Sequence, residues 1–299
     1  MAKKVTVIGA AIVDVLAGPI GNKLMDTGSM PMENIIMTYG GNGHNEAVTL
    51  SRLGVETSLV TKLGNDETGK RVLSHLKEEQ VGTDFVVIED NLVTGINVVL
   101  YDHEGERRFL TNPAGSLRRL SKEDVLRKAD DFDDIVSFSD LFASPLIDLN
   151  AAEMIFKKIK EKPSRILAVD MVKPKKSEKI RDMEKLFKYI DFFLPNEEEL
   201  KLLSDMEEPE AAKQILALGA GNVIVKKGKN GCDIWNKNGC TNIPSCKVAR
   251  VVDTTGAGDT FVAGFLYGLS NGISIEDCAQ QGCITASKCV QHVGATDNQ

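Results

Sequence analysis

The chain has 299 residues, of which 42% are hydrophobic and 5% aromatic, enough for one large α/β domain or two small ones with an aliphatic core. Its 36 basic and 43 acidic residues give a net charge of −7, which argues against nucleic acid and anionic membranes as partners. The sequence has no long apolar span and enters a predicted strand at once, so we expect a cytoplasmic protein without a signal peptide.

Short apolar runs alternate along the chain with longer segments that carry apolar residues at three- and four-residue spacing. The strand-like runs are residues 5–8, 58–63, 135–138, 166–169, 192–194 and 223–226. Helical segments are predicted at residues 46–53, 151–159 and 284–292. This alternation predicts an α/β fold of βαβ units with a mostly parallel sheet and helices on both faces. No low-complexity linker divides the chain, so we expect one domain over residues 1–299.

Two regions, residues 12–38 and 92–112, interrupt this alternation because they hold strands without intervening helices. In the second region, residues 95–101 and 107–111 are strand-like and flank a turn at 102–106. This pattern predicts a hairpin. The residues alone do not distinguish an ordinary edge hairpin from a separate structural unit.

All six cysteines lie in the last quarter of the chain, and none forms a C-x-x-C pair. With four histidines in the whole sequence, few ligands are available to complete a zinc site. We therefore expect reduced thiols that are mostly packed in the core.

Two common nucleotide-binding motifs are absent from the sequence. Residues 64–71 fit a P-loop except at the last position, where Arg71 replaces the Ser or Thr that holds magnesium. Residues 9–14 follow the first strand but lack the second and third glycines of a dinucleotide site. A redox enzyme that uses a dinucleotide is therefore not expected.

The most informative segment is residues 253–259, which read Asp-Thr-Thr-Gly-Ala-Gly-Asp before an apolar stretch. At the start of a helix, the backbone N–H groups of Gly256, Ala257 and Gly258 would be unpaired, and the helix dipole would favour an anion there. Asp259 stands beside this site and can take a proton from a hydroxyl that attacks a phosphate. Helix capping alone needs only one such residue.

This segment resembles the C-terminal signature of the ribokinase-like (PfkB) family of carbohydrate and nucleoside kinases. Residues 40–45, Gly-Gly-Asn-Gly-His-Asn, resemble the N-terminal signature of the same family, and the resemblance extends along nearly the whole chain. It implies a three-layer ribokinase-like fold and ATP-dependent, magnesium-assisted phosphorylation of a small sugar or sugar acid. It also implies that residues 12–38 and 92–112 form a small β-sheet lid over the sugar and a homodimer interface.

The resemblance assigns the sugar to residues from both halves of the chain. The substrate-binding residues that it implies are Asp14, Gly40, Gly41, Asn45, Asn97, Arg108, Asp140 and Lys173. Paired glycines allow close approach to the backbone, and an asparagine can donate to and accept from sugar hydroxyls. Arg108 and Lys173 would suit a carboxylate, but either is equally explained as a surface charge. His44 is either a substrate contact or an ordinary packed histidine.

The nucleotide and its ions are assigned to the second half of the chain, again by resemblance. ATP would be bound by Asn196, Lys227, Gly228, Gly231, Thr254 and Cys289, magnesium by Glu199 through water, and a potassium ion by Asp253 and Thr255. Magnesium prefers oxygen ligands and keeps several waters, which suits one amide and one carboxylate. The alternatives are structural: acidic residues are normal in a first helical turn, and Gly231 also suits a hairpin turn.

In the implied reaction, Asp259 is the general base, and the turn of Gly256, Ala257 and Gly258 is the anion hole. Two alternatives stay open: a nucleoside kinase of the same fold, and a non-catalytic regulator that binds a sugar or nucleotide. A nucleoside base favours aromatic walls, and residues 12–45 contain no aromatic cluster. A regulator has no need of a base such as Asp259.

Overall fold

The structure is a computed structural model that describes residues 2–21, 26, 28–104 and 106–296. Residues 22–25 and 27 of the first predicted lid segment, Gly105 of the predicted hairpin turn and both ends of the predicted domain lie outside the described residues. The strands among the described residues are β1 (Val5–Ile8), β2 (Ile12–Ile20), β3 (Asn34–Gly40), β4 (Thr57–Val60), β5 (Lys62–Gly64), β6 (Val87–Glu89), β7 (Ile96–Asp102), β8 (Arg107–Thr111), β9 (Ile135–Leu141), β10 (Ile166–Met171), β11 (Phe192–Phe193), β12 (Asn222–Lys226), β13 (Cys232–Asn236) and β14 (Gly239–Ile243). The helices are α1 (Asn42–Arg52), α2 (Glu67–Glu78), α3 (Lys122–Leu126), α4 (Leu149–Ile159), α5 (Glu184–Phe187), α6 (Glu197–Leu203), α7 (Glu208–Ala217), α8 (Ala257–Ser270) and α9 (Ile275–Cys289).

The central sheet has the strand order β14-β13-β12-β11-β10-β9-β1-β4. The strands from β12 to β4 run parallel to their neighbours, and β13 and β14 add an antiparallel edge. The predicted mostly parallel sheet is therefore confirmed. The single strand predicted at residues 58–63 is divided at Thr61, because the chain leaves the central sheet there and β5 pairs with β6.

Alternate residues of the buried strands pack into two separate cores, one on each face of the sheet. In β12, Val223 and Val225 join the core that contains Phe156, whereas Ile224 joins the core that contains Phe265. Side chains of a strand point alternately to opposite faces, so a parallel strand covered on both faces is apolar throughout. This packing places α4 on one face and α8 on the other.

The two predicted lid regions form one small sheet with the order β3-β2-β7-β8. β7 and β8 form the predicted hairpin, and β2 joins it by pairing in parallel with β7. One row across this sheet aligns Thr38, Asp14, Asn97 and Thr111. The hairpin is thus part of a separate sheet and not an edge of the central sheet. This small sheet, β3-β2-β7-β8, is called the lid sheet below.

All three predicted helices begin earlier than their patterns indicated, α4 by two residues, and α1 and α9 by more. α1 begins at Asn42 after Gly41, whose φ of 94° turns the chain into the helix. Most of the N-terminal signature, residues 40–45, therefore lies within the first turn of α1. α9 begins at Ile275 because the Ser274 side chain accepts a hydrogen bond from the backbone N–H of Asp277. The polar residues of its first half hide the helical period that the prediction relied on.

The six cysteines are free, and they differ in burial. Cys232 in β13 and Cys278, Cys283 and Cys289 in α9 are buried, whereas Cys240 in β14 is exposed and Cys246 is half-buried. Among the helices of the described residues, we find none with both the length and the apolarity needed to cross a membrane.

Candidate active site

A cleft of about 480 Å³ lies between the lid sheet and the carboxyl edge of the central sheet. Asp14 and Asn97 line it from the lid sheet, Asp170 and Lys226 from the central sheet, and Asp259 from the first turn of α8. Parallel sheets bind ligands at this edge because the loops after all parallel strands meet there. The topology alone therefore brings together residues that are more than 200 positions apart.

Most of the predicted site residues line this cleft. From the predicted sugar set, the lining includes Asp14, Gly41, Asn45, Asn97, Asp140 and Lys173. From the catalytic, nucleotide and ion sets, it includes Asn196, Glu199, Thr255, Gly256, Gly258 and Asp259.

Other predicted residues lie behind the lining. Gly40 leaves room for Asp14, since a Cβ atom at Gly40 would lie 2.2 Å from Asp14 Oδ2. The carbonyl of Thr254 accepts a hydrogen bond from the N–H of Ala257, and the thiol of Cys289 donates to the carbonyl of Thr255. These residues shape the loop before α8 from its far side.

Four predicted contact residues are absent from the cleft lining. Arg108 is exposed and pairs with Leu100, three positions along the strands from the row that carries Asn97 and Thr111. Because side chains alternate along a strand, Arg108 belongs to the face of the lid sheet opposite the cleft. Lys227 forms ion pairs with Glu208 and Asp233. Gly228 and Gly231 lie in the turn between β12 and β13, as the structural alternative for Gly231 anticipated.

The turn before α8 needs glycine for two reasons. Gly256 has a φ of 74°, in the left-handed region that favours glycine. A Cβ atom there would also lie 2.2 Å from the Cβ atom of Ala295. Gly256 and Gly258 line the cleft without side chains, so their N–H groups can face an anion that the helix dipole favours. The N–H of Ala257, which the sequence predicted to be unpaired, instead donates to the carbonyl of Thr254.

Asp259 is a buried carboxyl group at this helix start. Burial raises its pKa, the hydrogen bond from Asn45 Nδ2 to Asp259 Oδ2 (2.7 Å) lowers it, and the charge of Asp170 raises it, with a result of about 6. The value of about 6 also includes the charge of Lys226, which lowers the pKa. Asp259 is therefore ionised at neutral pH and close enough to its pKa to accept a proton, as a general base must.

The floor of the cleft holds more carboxyl groups than the sequence indicated. Burial raises the pKa of both Asp140 and Glu199 to about 7. Glu46, which the sequence analysis missed, is fully buried in α1 and accepts a hydrogen bond from Ser137. Burial raises the pKa of Glu46 well above its usual range. A glutamate among the buried Ala-Val-Thr-Leu residues of α1 was the available signal.

Lys226 is the cation that faces these acids, and the sequence analysis missed it as well. Its ammonium group forms an ion pair with Asp170, and both side chains are almost entirely buried. Lys226 ends an apolar strand at the carboxyl edge of the sheet, which was the available signal. A buried cation is tolerated only with such a partner.

Asn196 and Glu199 form a capping box at the start of α6. The Asn196 side chain accepts from the Glu199 N–H, and the Glu199 carboxylate accepts from the Asn196 N–H, each at 2.8 Å. Among the described residues, no group of three or more His, Cys, Asp or Glu side chains could hold a metal by itself. Glu199 in the cleft fits a magnesium ion that is held mainly by water and phosphate.

Asp253 has a different set of partners from the one predicted. It accepts hydrogen bonds from the N–H groups of Thr255 and Gly294 and forms an ion pair of 2.7 Å with Arg107 of the lid sheet. These contacts outweigh burial and lower the pKa of Asp253. Its charge is already balanced, so a potassium ion would have to compete with the guanidinium group.

A known protein family matches this chain over almost its whole length. The model for the pfkB family of carbohydrate kinases matches residues 2–299. The chain belongs to this family. The predicted enzyme class, a carbohydrate kinase that transfers phosphate to a hydroxyl group, and the predicted fold are thereby confirmed.

Individual relatives agree with the family. A protein of Archaeoglobus fulgidus described as an uncharacterized sugar kinase is 34% identical over 249 residues, which cover 83% of this chain and 96% of that protein. The 2-dehydro-3-deoxygluconokinase of Haemophilus influenzae is 26% identical over 92% of this chain and 93% of its own. The structure of Arabidopsis thaliana ribokinase with ribose and ATP has a TM-score of 0.80 and 27% identity, covering 99% of this chain and 95% of that one.

Gly256→Ala tests the close approach at the loop before α8, with Gly272→Ala as a matched control. Both glycines have a left-handed φ, 74° and 70°, but a Cβ atom at Gly272 would meet nothing within 4 Å. Backbone strain of about 1 kcal/mol should lower the melting temperature of Gly272→Ala by about 2–4 °C. Gly256→Ala should lose clearly more in a thermal melt because of the clash with Ala295. Equal losses would contradict the assigned packing.

Proposed function

We propose that the protein transfers the γ-phosphate of ATP to a primary hydroxyl of a small sugar or sugar acid. The observation that carries this proposal is the placement of Asp259, a buried carboxyl group of pKa about 6 beside the glycine turn of α8. A base and an anion site that share one cleft suit the attack of a hydroxyl on a phosphate.

The reaction follows from this arrangement. Asp259 accepts the proton of the sugar hydroxyl as the oxygen attacks the γ-phosphorus. The new bond joins the sugar oxygen to phosphorus, and the bond from phosphorus to the β–γ bridging oxygen of ATP breaks, which leaves ADP. The N–H groups of Gly256 and Gly258 stabilise the charge that develops on the phosphoryl oxygens.

The sugar lies against the lid sheet and the loop before α1. The Asp14 carboxylate accepts a hydrogen bond from Asn97 at 2.9 Å, so the two side chains are held together at the cleft wall. Asp14 accepts from sugar hydroxyls, and Asn45 positions both the sugar and Asp259. Among the described residues of the lining, Phe109 is the one aromatic side chain, which favours a sugar over a nucleoside.

ATP lies towards Asn196 and the loop after β12, with its phosphates near the start of α8 and Lys226. Magnesium, held by Glu199 through water, would neutralise phosphate charge. Three further expectations stay predictions. They are a cytoplasmic location, a potassium ion at Asp253 and Thr255, and contacts to ATP from Lys227, Gly228, Gly231, Thr254 and Cys289.

Asp259→Asn tests the base. We expect turnover to fall by about a hundredfold or more, since general-base catalysis contributes about 10²–10⁴-fold, while ATP binding stays intact. ADP release across a panel of sugars and sugar acids measures the first, and calorimetric titration with magnesium-ATP the second. Asp84→Asn, an exposed carboxylate, is the control. Near-normal turnover of Asp259→Asn would contradict the assignment of Asp259 as the general base.

The pH dependence of kcat/KM gives an independent check. Protonation of Asp259 should remove the base, so kcat/KM should fall about tenfold per pH unit below about pH 6 and be constant above it. Asn45→Ala removes a hydrogen bond that lowers the pKa of Asp259, so the acidic limb should move to higher pH. Asn238→Ala, in an exposed turn, should leave it in place. A profile that stays flat between pH 5 and pH 8 contradicts the proposed role.

We also propose a homodimer through the outer face of the lid sheet. Met37, Val15, Val98 and Leu110 align in one row, and Met37 and Leu110 are 60% and 57% exposed. Ile35, two residues along the same strand, is 70% exposed. Apolar patches of this kind on a sheet face mark interaction surfaces.

Met37→Lys with Leu110→Lys should convert the dimer to a monomer, because burying the two ammonium groups without partners is unfavourable. Sedimentation velocity measures the mass, and Met206→Lys supplies an equally apolar exposed site outside the lid sheet. A wild-type monomer, or a dimer in the double variant, excludes this interface.

A further inference from the structure

Three cations that the proposed chemistry does not use line the same cleft. Arg118 follows β8 in a short 3-10 helix, and Lys173 and Lys175 follow β10. Within the described residues, none of the three has a carboxylate within ion-pair distance. The guanidinium group of Arg118 donates a 3.5 Å hydrogen bond to the hydroxyl of Thr111, on the cleft face of the lid sheet.

This lack of ion-pair partners distinguishes the three residues from the other cations near the site. Lys226 pairs with Asp170, Lys227 with Asp233, and Arg107 with Asp253. In a chain of net charge −7, acidic partners are abundant. The charge of Glu178 acts on Lys175, but no carboxylate of the described residues forms an ion pair with any of the three cations, which suits a place where an anion from outside is bound.

The three cations also repel one another. Burial lowers the pKa of Lys175, the positive charges of Arg118 and Lys173 lower it further, and the negative charge of Glu178 offsets part of this. Lys173 and Lys175 are exposed and Arg118 is half-buried, and like charges that lie close together are unfavourable until a counter-charge arrives. A bound anionic group would offset the repulsion among the three cations and receive charge-assisted hydrogen bonds from them.

We infer that the acceptor of the phosphate is an anionic sugar whose carboxylate or phosphate group is bound by Arg118, Lys173 and Lys175. This inference rests on the proposed kinase function and narrows its substrate class. The lid-sheet residues Asp14 and Asn97 bind the hydroxyls of the same molecule, and its primary hydroxyl faces Asp259.

Matched acceptors that all carry a primary hydroxyl test this inference. Ribonate is compared with ribose, gluconate with glucose, and fructose 6-phosphate with fructose, by ADP release at constant ionic strength. One charge-assisted hydrogen bond is worth about 1.5–3 kcal/mol, so we expect kcat/KM to be at least about tenfold higher for an anionic acceptor than for its neutral partner. The carboxylate and phosphate arms then identify which anion the cluster binds.

The variants Arg118→Met, Lys173→Met and Lys175→Met, alone and combined, should raise KM for the anionic acceptor and remove its advantage over the neutral one. Lys176→Met, the exposed neighbour outside the lining, should keep that advantage. A preference that survives the triple variant overturns the inference. An increase in KM for ATP alone would assign the cluster to the nucleotide and overturn it as well.

A binding measurement separates failure of this inference from failure of the proposed function. If no acceptor supports ADP release, thermal shifts with ribonate, gluconate and fructose 6-phosphate are measured against the neutral sugars. Anion-dependent stabilisation that the triple variant lacks would support the anion site even though the kinase proposal had failed. No stabilisation and no turnover by any anion would overturn the inference.

Discussion

The ion pair of Lys226 and Asp170 sets the charge of the cleft floor, and the chemistry of the site depends on it. The strand order places β10 and β12 on either side of β11, so the two side chains meet at the carboxyl edge. Burial alone favours protonation of Asp259, whereas Lys226 and Asn45 favour its charged form. The balance gives a carboxylate that is ionised at neutral pH yet retains basicity. Without Lys226, the pKa of Asp259 would be higher, and a smaller fraction of it would be ionised near pH 7.

A second ion pair joins the two ends of the cleft. Arg107 belongs to the same face of the lid sheet as Asn97 and Thr111, because the three positions differ by even numbers along paired strands. Its partner Asp253 receives the N–H groups of Thr255 and Gly294 and so fixes the loop that leads into α8. One face of the lid sheet therefore both carries the residues proposed to bind the sugar and anchors the loop proposed to bind phosphate. Movement of the lid sheet would change both functions together.

The sequence was enough to predict features that are local in the chain. It was not enough to predict which side chains face the cleft where strand register determines their orientation. Apolar periodicity predicted the parallel sheet, and the glycines of residues 256–258 predicted the helix start beside Asp259. Arg107 and Arg108 are adjacent and chemically alike, so the resemblance favoured Arg108, whereas strand pairing turns Arg107 towards the cleft. Lys226 was missed because its importance comes from Asp170, 56 residues earlier and two strands away. Such pairings follow from topology and not from spacing.

The distribution of charge along the cleft separates its two ligands. The charges of Asp170, Asp259 and Lys226 act on Glu199, where magnesium is proposed to lie, whereas Lys175 is affected by the charges of Arg118 and Lys173. These three cations would repel a metal ion. An anionic acceptor bound in the reverse orientation would set its charge against Asp140 and Asp259, at a cost of like-charge repulsion. The cations would contact their ligand equally before and during phosphate transfer, so they should act on KM more than on kcat. Orientation, and not acceleration, is therefore the contribution that their position allows.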